Sequence, residues 1–248
     1  MENRIMKRLF LTLCMLLMAS TIYAGDKIVM ATLDWEPYVG QNMKNQGYVA
    51  EVVKEAFKRG GIEVELKFYQ WSRVVGLAKA GKVDGYFPEY YADGVKEYAA
   101  FSEAMPGGPL GFFKRKDQDI SYNTLKDLEG YKIGVVKGYV NTEEFDNAAF
   151  LTRDIAKDDL TNLKKLAAGR LDLMVADKFV GTFLMNANLP DKAKEIEFLA
   201  KPLAEPELFV CISNKVEGQA DKVAAFNKGL AEIKADGTLD KILKANGF

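Results

Sequence analysis

The chain has 248 residues, 48% of them hydrophobic, with 34 basic side chains against 35 acidic ones and no histidine. The missing histidine excludes a Ser-His-Asp triad, a Cys-His dyad and the usual histidine-bearing zinc sites, which removes most hydrolytic mechanisms. Balanced charge with no basic block argues against nucleic acid or an anionic membrane surface as partner.

Arg4, Lys7 and Arg8 precede an apolar run from Leu9 to Met18, followed by small and polar residues up to Ala24. That is the order of a secretory signal peptide, and the run is too short to span a bilayer. Residues 1–24 are therefore expected to be cleaved at or near Ala24, leaving an exported, soluble, monomeric protein of the periplasm. Cys14 leaves with the leader, so Cys211 is the sole cysteine and no intrachain disulfide forms. Its place in the run Leu208–Ile212 predicts a small buried apolar residue. Stability must come from the core, for which a mature chain of about 220 residues suffices.

Lys27–Leu33 reads as a first strand, apolar enough to be buried on both faces. A loop, Asp34-Trp35-Glu36-Pro37-Tyr38, follows it. Val49, Val52, Val53, Ala56 and Phe57 mark a helix that stops at Gly60-Gly61. Ile62–Tyr69 alternates as a strand, with Val64, Leu66 and Phe68 on one face. A helix from Ser72, as N-cap, to Ala80 leads into a strand at Val83–Phe87. Met105-Pro106-Gly107-Gly108-Pro109 is the strongest turn cluster and a natural crossover. A second series then runs through a short helix at Leu125–Leu128, a strand at Tyr131–Val136, helices at Thr142–Phe150 and Leu160–Ala168, and a strand at Leu171–Ala176. Lys201–Pro206 carries the chain back to a strand at Leu208–Ile212 and closing helices at Val223–Ile233 and Leu239–Leu243. Alternating strands and helices predict mostly parallel sheets.

Ala80-Gly81-Lys82-Val83-Asp84 returns as Ala168-Gly169-Arg170-Leu171-Asp172. In each copy a helix ends at a glycine suited to a left-handed turn and a basic residue lies near the negative end of the dipole. One supersecondary unit used twice predicts two similar α/β lobes with a cleft between them, residues 25–105 plus 205–248 forming the first and 109–200 the second.

These residues, in order, resemble a known family, the amino-acid-type (family 3) extracellular solute-binding proteins. The resemblance rests on Asp34-Trp35-Glu36-Pro37-Tyr38, Trp71, the repeated Gly-basic-apolar-Asp turn, Ala100-Phe101-Ser102, Asp127-Leu128-Glu129-Gly130, Gly134-Val135, Asp177 and Asp236-Gly237-Thr238-Leu239. It implies a periplasmic two-lobe clamp of the type II fold that delivers a small nitrogen-bearing solute to an ABC permease. No cofactor or metal is implied. Two other roles on this scaffold stay open: a dehydratase-like enzyme using Glu89 or Asp177 as general acid, and a protein that presents ligand to a membrane receptor.

Trp35 and Asp177 both leave strand ends toward the expected cleft, where open α/β sheets place ligands. By resemblance Asp177 binds the ligand's amino group. Tyr38 and Trp71 are further candidates, while Glu36 is expected to point into water. The resemblance also implies an arginine that clamps a ligand carboxylate, but anchoring on Phe101-Ser102 puts Val95 there, with Lys96 adjacent. The hydroxyl residues at the second lobe's helix start fall at Tyr139 and Val140, beside Asn141. Lys96 or Arg73 is then the substitute cation, without the bidentate fork of arginine in the case of lysine. Tyr86, Phe87, Glu89, Tyr90 and Tyr91 crowd the segment after the Val83 strand, and aromatic faces beside carboxylates suit a cation.

Overall fold

Ile28, Met30 and Ala31 are buried in strand β1 (Lys27–Thr32), as a central strand requires. The computed structural model describes residues 27–248, and the leader expected over residues 1–24 lies outside them. After β1 come α1 (Tyr48–Arg59), β2 (Glu63–Phe68), α2 (Trp71–Lys79), β3 (Gly85–Glu89) and β4 (Ala99–Phe101). The chain then crosses to β5 (Leu110–Arg115), β6 (Lys132–Val136), α3 (Glu143–Asn147), β7 (Thr152–Ala156), α4 (Asp159–Ala167), β8 (Leu173–Asp177), α5 (Lys178–Asn188) and β9 (Ile196–Phe198). It returns as β10 (Phe209–Ser213), α6 (Gln219–Ala235) and α7 (Thr238–Ala245). One sheet runs β2-β1-β3-β10-β4 and the other β7-β6-β8-β5-β9, so the molecule is a two-lobe α/β fold.

Both sheets are mixed, where mostly parallel sheets were expected. In the first lobe β1 pairs parallel with β2 and β3, but β10 runs antiparallel to β3 and β4. The second lobe repeats this, with β5 antiparallel to β8 and β9. The cause is connectivity: β5 and β10 are the strands that arrive from the opposite lobe, without the right-handed crossover that makes neighbours parallel.

The sequence repeat is one structural device used twice. Gly81 and Gly169 take φ of +65° and +70°, the left-handed conformation that ends a helix. Lys82 N then reaches back to Leu77 O, and Arg170 N to Lys165 O, both at 2.9 Å. Asp84 Oδ2 accepts from Val29 N at 2.9 Å, and Asp172 Oδ2 from Lys132 N at 2.8 Å. Each aspartate thus pins its incoming strand to the parallel neighbour, β3 to β1 and β8 to β6.

Two chain crossings join the lobes side by side. Met105 N donates to Leu208 O at 2.8 Å, Leu208 N returns to Met105 O at 3.0 Å, and Leu110 N reaches Ala204 O at 2.9 Å. This short antiparallel ribbon holds the lobes together while leaving a rotation axis. Cys211 is buried in β10, and among the described residues no helix is long and apolar enough to cross a membrane.

Candidate functional site

The loop after β1 and the start of α2 bring two indoles to the ends of the first sheet's strands. Trp35 is 7% exposed and stacks on Tyr38, with ring centroids 4.7 Å apart. Trp71 opens α2 and donates from Nε1 to Gly138 O at 2.8 Å, across the cleft from the first lobe to the second. Its ring meets Tyr139 edge-on at 5.8 Å. Tyr90 follows β3 and presents an edge to Trp35 at 6.0 Å. Trp35, Trp71, Tyr90, Tyr139, Glu89 and Val140 wall a cavity of about 30 Å³ between the lobes, and none of its walls carries a basic group.

Glu89, the last residue of β3, is 4% exposed. Its Oε2 accepts from the Tyr86 hydroxyl at 3.0 Å and its Oε1 from Tyr90 N at 3.0 Å. Burial pushes its carboxyl up to about 8; those two hydrogen bonds and the distant charge of Lys79 pull the other way and lose. Asp159 opens α4 beside its N-cap, Asp158. Burial raises its carboxyl to about 7, against the opposing hydrogen bond of 2.9 Å from the Tyr139 hydroxyl, and the nearby Asp177 charge adds to the rise. Two residues that line the cleft, Glu89 and Asp159, thus carry buried carboxyls among aromatic rings, with no cation paired to either.

Asp177 is placed differently from its expectation as the amine ligand. Its Oδ1 caps α5, accepting from Phe179 N at 2.8 Å and Val180 N at 3.1 Å. Its Oδ2 accepts from Tyr38 at 2.9 Å and Tyr90 at 3.5 Å, both in the opposite lobe. With these four bonds made, it is a cross-lobe lock behind the cavity and not one of its walls. Tyr38, 0% exposed, belongs to the same lock.

The cavity lies between two wider mouths. Trp35, Trp71 and Tyr139 form the inner wall of a vestibule of about 530 Å³ that also carries Asp34, Glu36, Asp158, Asp159 and Lys157. Tyr90 and Val140 separate the cavity from a second mouth of about 650 Å³, where Tyr91, Asn141, Glu143 and Glu207 sit.

Of the expected site residues, Trp35, Trp71, Glu89 and Tyr139 come together at the cavity. Tyr91 and Asn141 sit at the second mouth, with Tyr91 half exposed and Asn141 held by both oxygens of Asp146. The two candidate substitute cations lie outside. Lys96, in the short helical turn at Asp93–Glu97, is exposed, with Nζ 2.9 Å from Asp93 and bonded to the Tyr91 hydroxyl, so its charge is engaged at the rim of the second mouth. Arg73, one turn into α2, is exposed and lies 4.6 Å over the Tyr69 ring. Val95 is buried, and the arginine position has no replacement in the cavity. Glu36 does not point into bulk water: it lines the vestibule half-buried, and burial raises its carboxyl. Sequence reasoning missed Asp159 as a site residue, since Asp158-Asp159 before a helix reads as ordinary N-capping. Tyr90 was visible as one aromatic in a crowded segment, but only the fold distinguishes it from the core residues Tyr86 and Phe87.

Residues 28–246 match the family described as bacterial extracellular solute-binding proteins, family 3. A probable histidine-binding protein of Campylobacter jejuni is 28% identical over 209 residues, 82% of this chain and 77% of that protein. The lysine/arginine/ornithine-binding periplasmic protein of Escherichia coli K12 is 24% identical, with 96% of each chain covered. Among solved structures, a histidine kinase sensor domain with similarity to periplasmic binding proteins superposes with a TM-score of 0.77 at 21% identity, covering 88% of this chain and 95% of that one.

Proposed function

From the premise that this chain belongs to the bacterial extracellular solute-binding proteins of family 3, we propose that it captures a small cationic amine between its lobes, without turnover, and delivers it to an ABC permease. The lobes in this reading are residues 25–105 plus 205–248, and 109–200. Capture takes place outside the cytoplasm by a monomer released from its leader.

One observation carries the ligand class: the cavity wall joins four aromatic rings to the buried carboxyl of Glu89 and offers no basic side chain. A desolvated cation is attracted by aromatic faces and by a carboxylate. A ligand carboxylate in the same place would be buried beside Glu89 with nothing to pair it, at a cost of several kcal/mol. Relatives whose names include lysine, arginine, ornithine or histidine as ligands agree with a basic solute. Micromolar affinity needs about 8 kcal/mol, within reach of a stacked cation, a few hydrogen bonds and one charge pair.

The test is a calorimetric titration of the mature protein with primary amines and with the twenty amino acids. Amines are expected to bind and neutral or acidic amino acids to give no heat. Tight binding of a neutral amino acid would overturn the ligand class. Whether the membrane partner is a permease or a receptor is decided by co-purification from the inner membrane, with an ABC permease expected.

A further inference from the structure

We propose that the solute is charged at both ends, an α,ω-diamine or longer linear oligoamine, with one ammonium in the inner cavity and the other in the vestibule at Asp159. The inference rests on the reading of the cleft as an amine site and adds a second recognition point.

Size comes first. A void needs roughly 10–15 Å³ to hold one water. The inner cavity, at about 30 Å³, has room for an ammonium and its adjoining methylene but not for a bulkier head. The remainder of a longer ligand extends into one of the two mouths, and on the vestibule side, about 530 Å³, it lies against Trp35 and Trp71. Those indoles suit a run of methylenes.

The vestibule then selects what the far end is. Asp34, Glu36, Asp158 and Asp159 line it against Lys157 alone, and that lysine is 3.6 Å from Asp158. Asp159 is 4% exposed, and its Oδ2 takes the Tyr139 hydroxyl. Its Oδ1 is buried without a hydrogen bond of standard geometry, the only carboxylate oxygen in that condition among the described residues, and the Trp35 side chain is the one further donor that favours its charged form. A buried acceptor without a donor is costly, and an ammonium supplies three donors. The second mouth lacks this feature, since Asp146 has both oxygens engaged by Asn141 and Asp93 is bonded to Lys96. A basic amino acid satisfies the vestibule equally, but its α-carboxylate would then lie beside the inner ammonium, against Glu89.

Calorimetry with putrescine and cadaverine against n-butylamine and n-pentylamine decides the matter. The diamines are expected to bind at least about tenfold tighter than the monoamines of equal length, the scale of one added desolvated charge pair. In Asp159→Asn that ratio is expected to fall toward one. The double variant Asp34→Asn/Glu36→Gln, which alters only exposed or half-buried groups, is expected to reduce it several-fold and guards against a folding defect at Asp159. Equal affinity of diamine and monoamine for the unaltered protein would overturn the second site while leaving the amine reading intact. Loss of the ratio in Glu143→Gln/Glu207→Gln and not in Asp159→Asn would overturn its location. Binding of neutral amino acids with no response to any amine would overturn the amine reading and this inference with it.

Discussion

Asp177 accepts two backbone hydrogen bonds from its own helix and two phenolic ones from the facing lobe. Replacing it by alanine removes an N-cap and leaves the Tyr38 hydroxyl buried without an acceptor, costs of about 1 and 1–3 kcal/mol. Asp177→Ala is therefore expected to lower thermal stability by several degrees and to loosen the closed form. Its Tm should drop in ligand-free protein as much as in the ligand complex; a defect confined to the complex would return Asp177 to the ligand-contact role. Trp35→Ala and Glu89→Gln act at the cavity itself. Each is expected to weaken amine binding by about 1–3 kcal/mol, the range of a truncated contact at a desolvated site. Calorimetry on the folded variants checks this, and unchanged affinity in both would dissociate the cavity from the ligand.

At the scale of elements, the crossing at residues 105–110 passes so close to the cross-lobe lock that only glycine fits. A Cβ on Gly108 would stand 2.1 Å from the Tyr38 hydroxyl and 2.9 Å from Asp177 Oδ2. Gly108→Ala is thus expected to wedge the lobes apart, seen as a larger radius of gyration in solution scattering without ligand and a smaller contraction with it. An unchanged scattering curve would mean that the crossing yields and the lock does not. The repeated Gly-basic-apolar-Asp turn was legible in the sequence because a left-handed glycine and a strand-pinning aspartate both demand specific residue types. The strands around it were legible where their apolar runs were long, as in β1 and β8. Strand β7 was not read, because at the sheet edge its Thr152–Ala156 segment is largely exposed and polar. Strand β9 has only three residues and no period to detect. Trp35 and Trp71, which line the cavity, stood out as candidates because a tryptophan beyond a strand end has few structural reasons to be there. Lys96 and Arg73 do not line the cavity, and charge alone does not say which way a turn faces. Asp159 was passed over because its neighbour's capping role already explained it.

On the scale of the molecule, the cleft acids make both folding and binding answer to pH. Burial lifts Glu89 to about 8, Asp159 to about 7 and Asp177 to about 6, all above the range of a carboxyl in an unfolded chain. Each therefore binds its proton more tightly when folded. The stability this contributes is complete below about pH 4 and is lost progressively as pH rises through about 6 to 8. Ligand binding runs the other way. An ammonium seated against Glu89 needs the carboxylate, so binding expels a proton and affinity rises with pH until about 8, while an amine of pKa near 10 stays charged throughout. The chain has no histidine, so Asp159, Asp177 and the α-amino group are the groups that share that window with Glu89. Glu89 is packed against Tyr86, Tyr90, Tyr98 and Cys211, all of which are raised away from that window. Free protein is accordingly expected to melt at a lower temperature at pH 8 than at pH 6, and putrescine to restore the difference. Titrations of n-butylamine, which has a single ammonium, near pH 7 in buffers of different ionisation heat should show net proton release, and Glu89→Gln should remove most of it. Affinity that stays flat from pH 6 to pH 8, or a proton release that survives in Glu89→Gln, would show that the buried carboxyl of β3 is not where the cation rests.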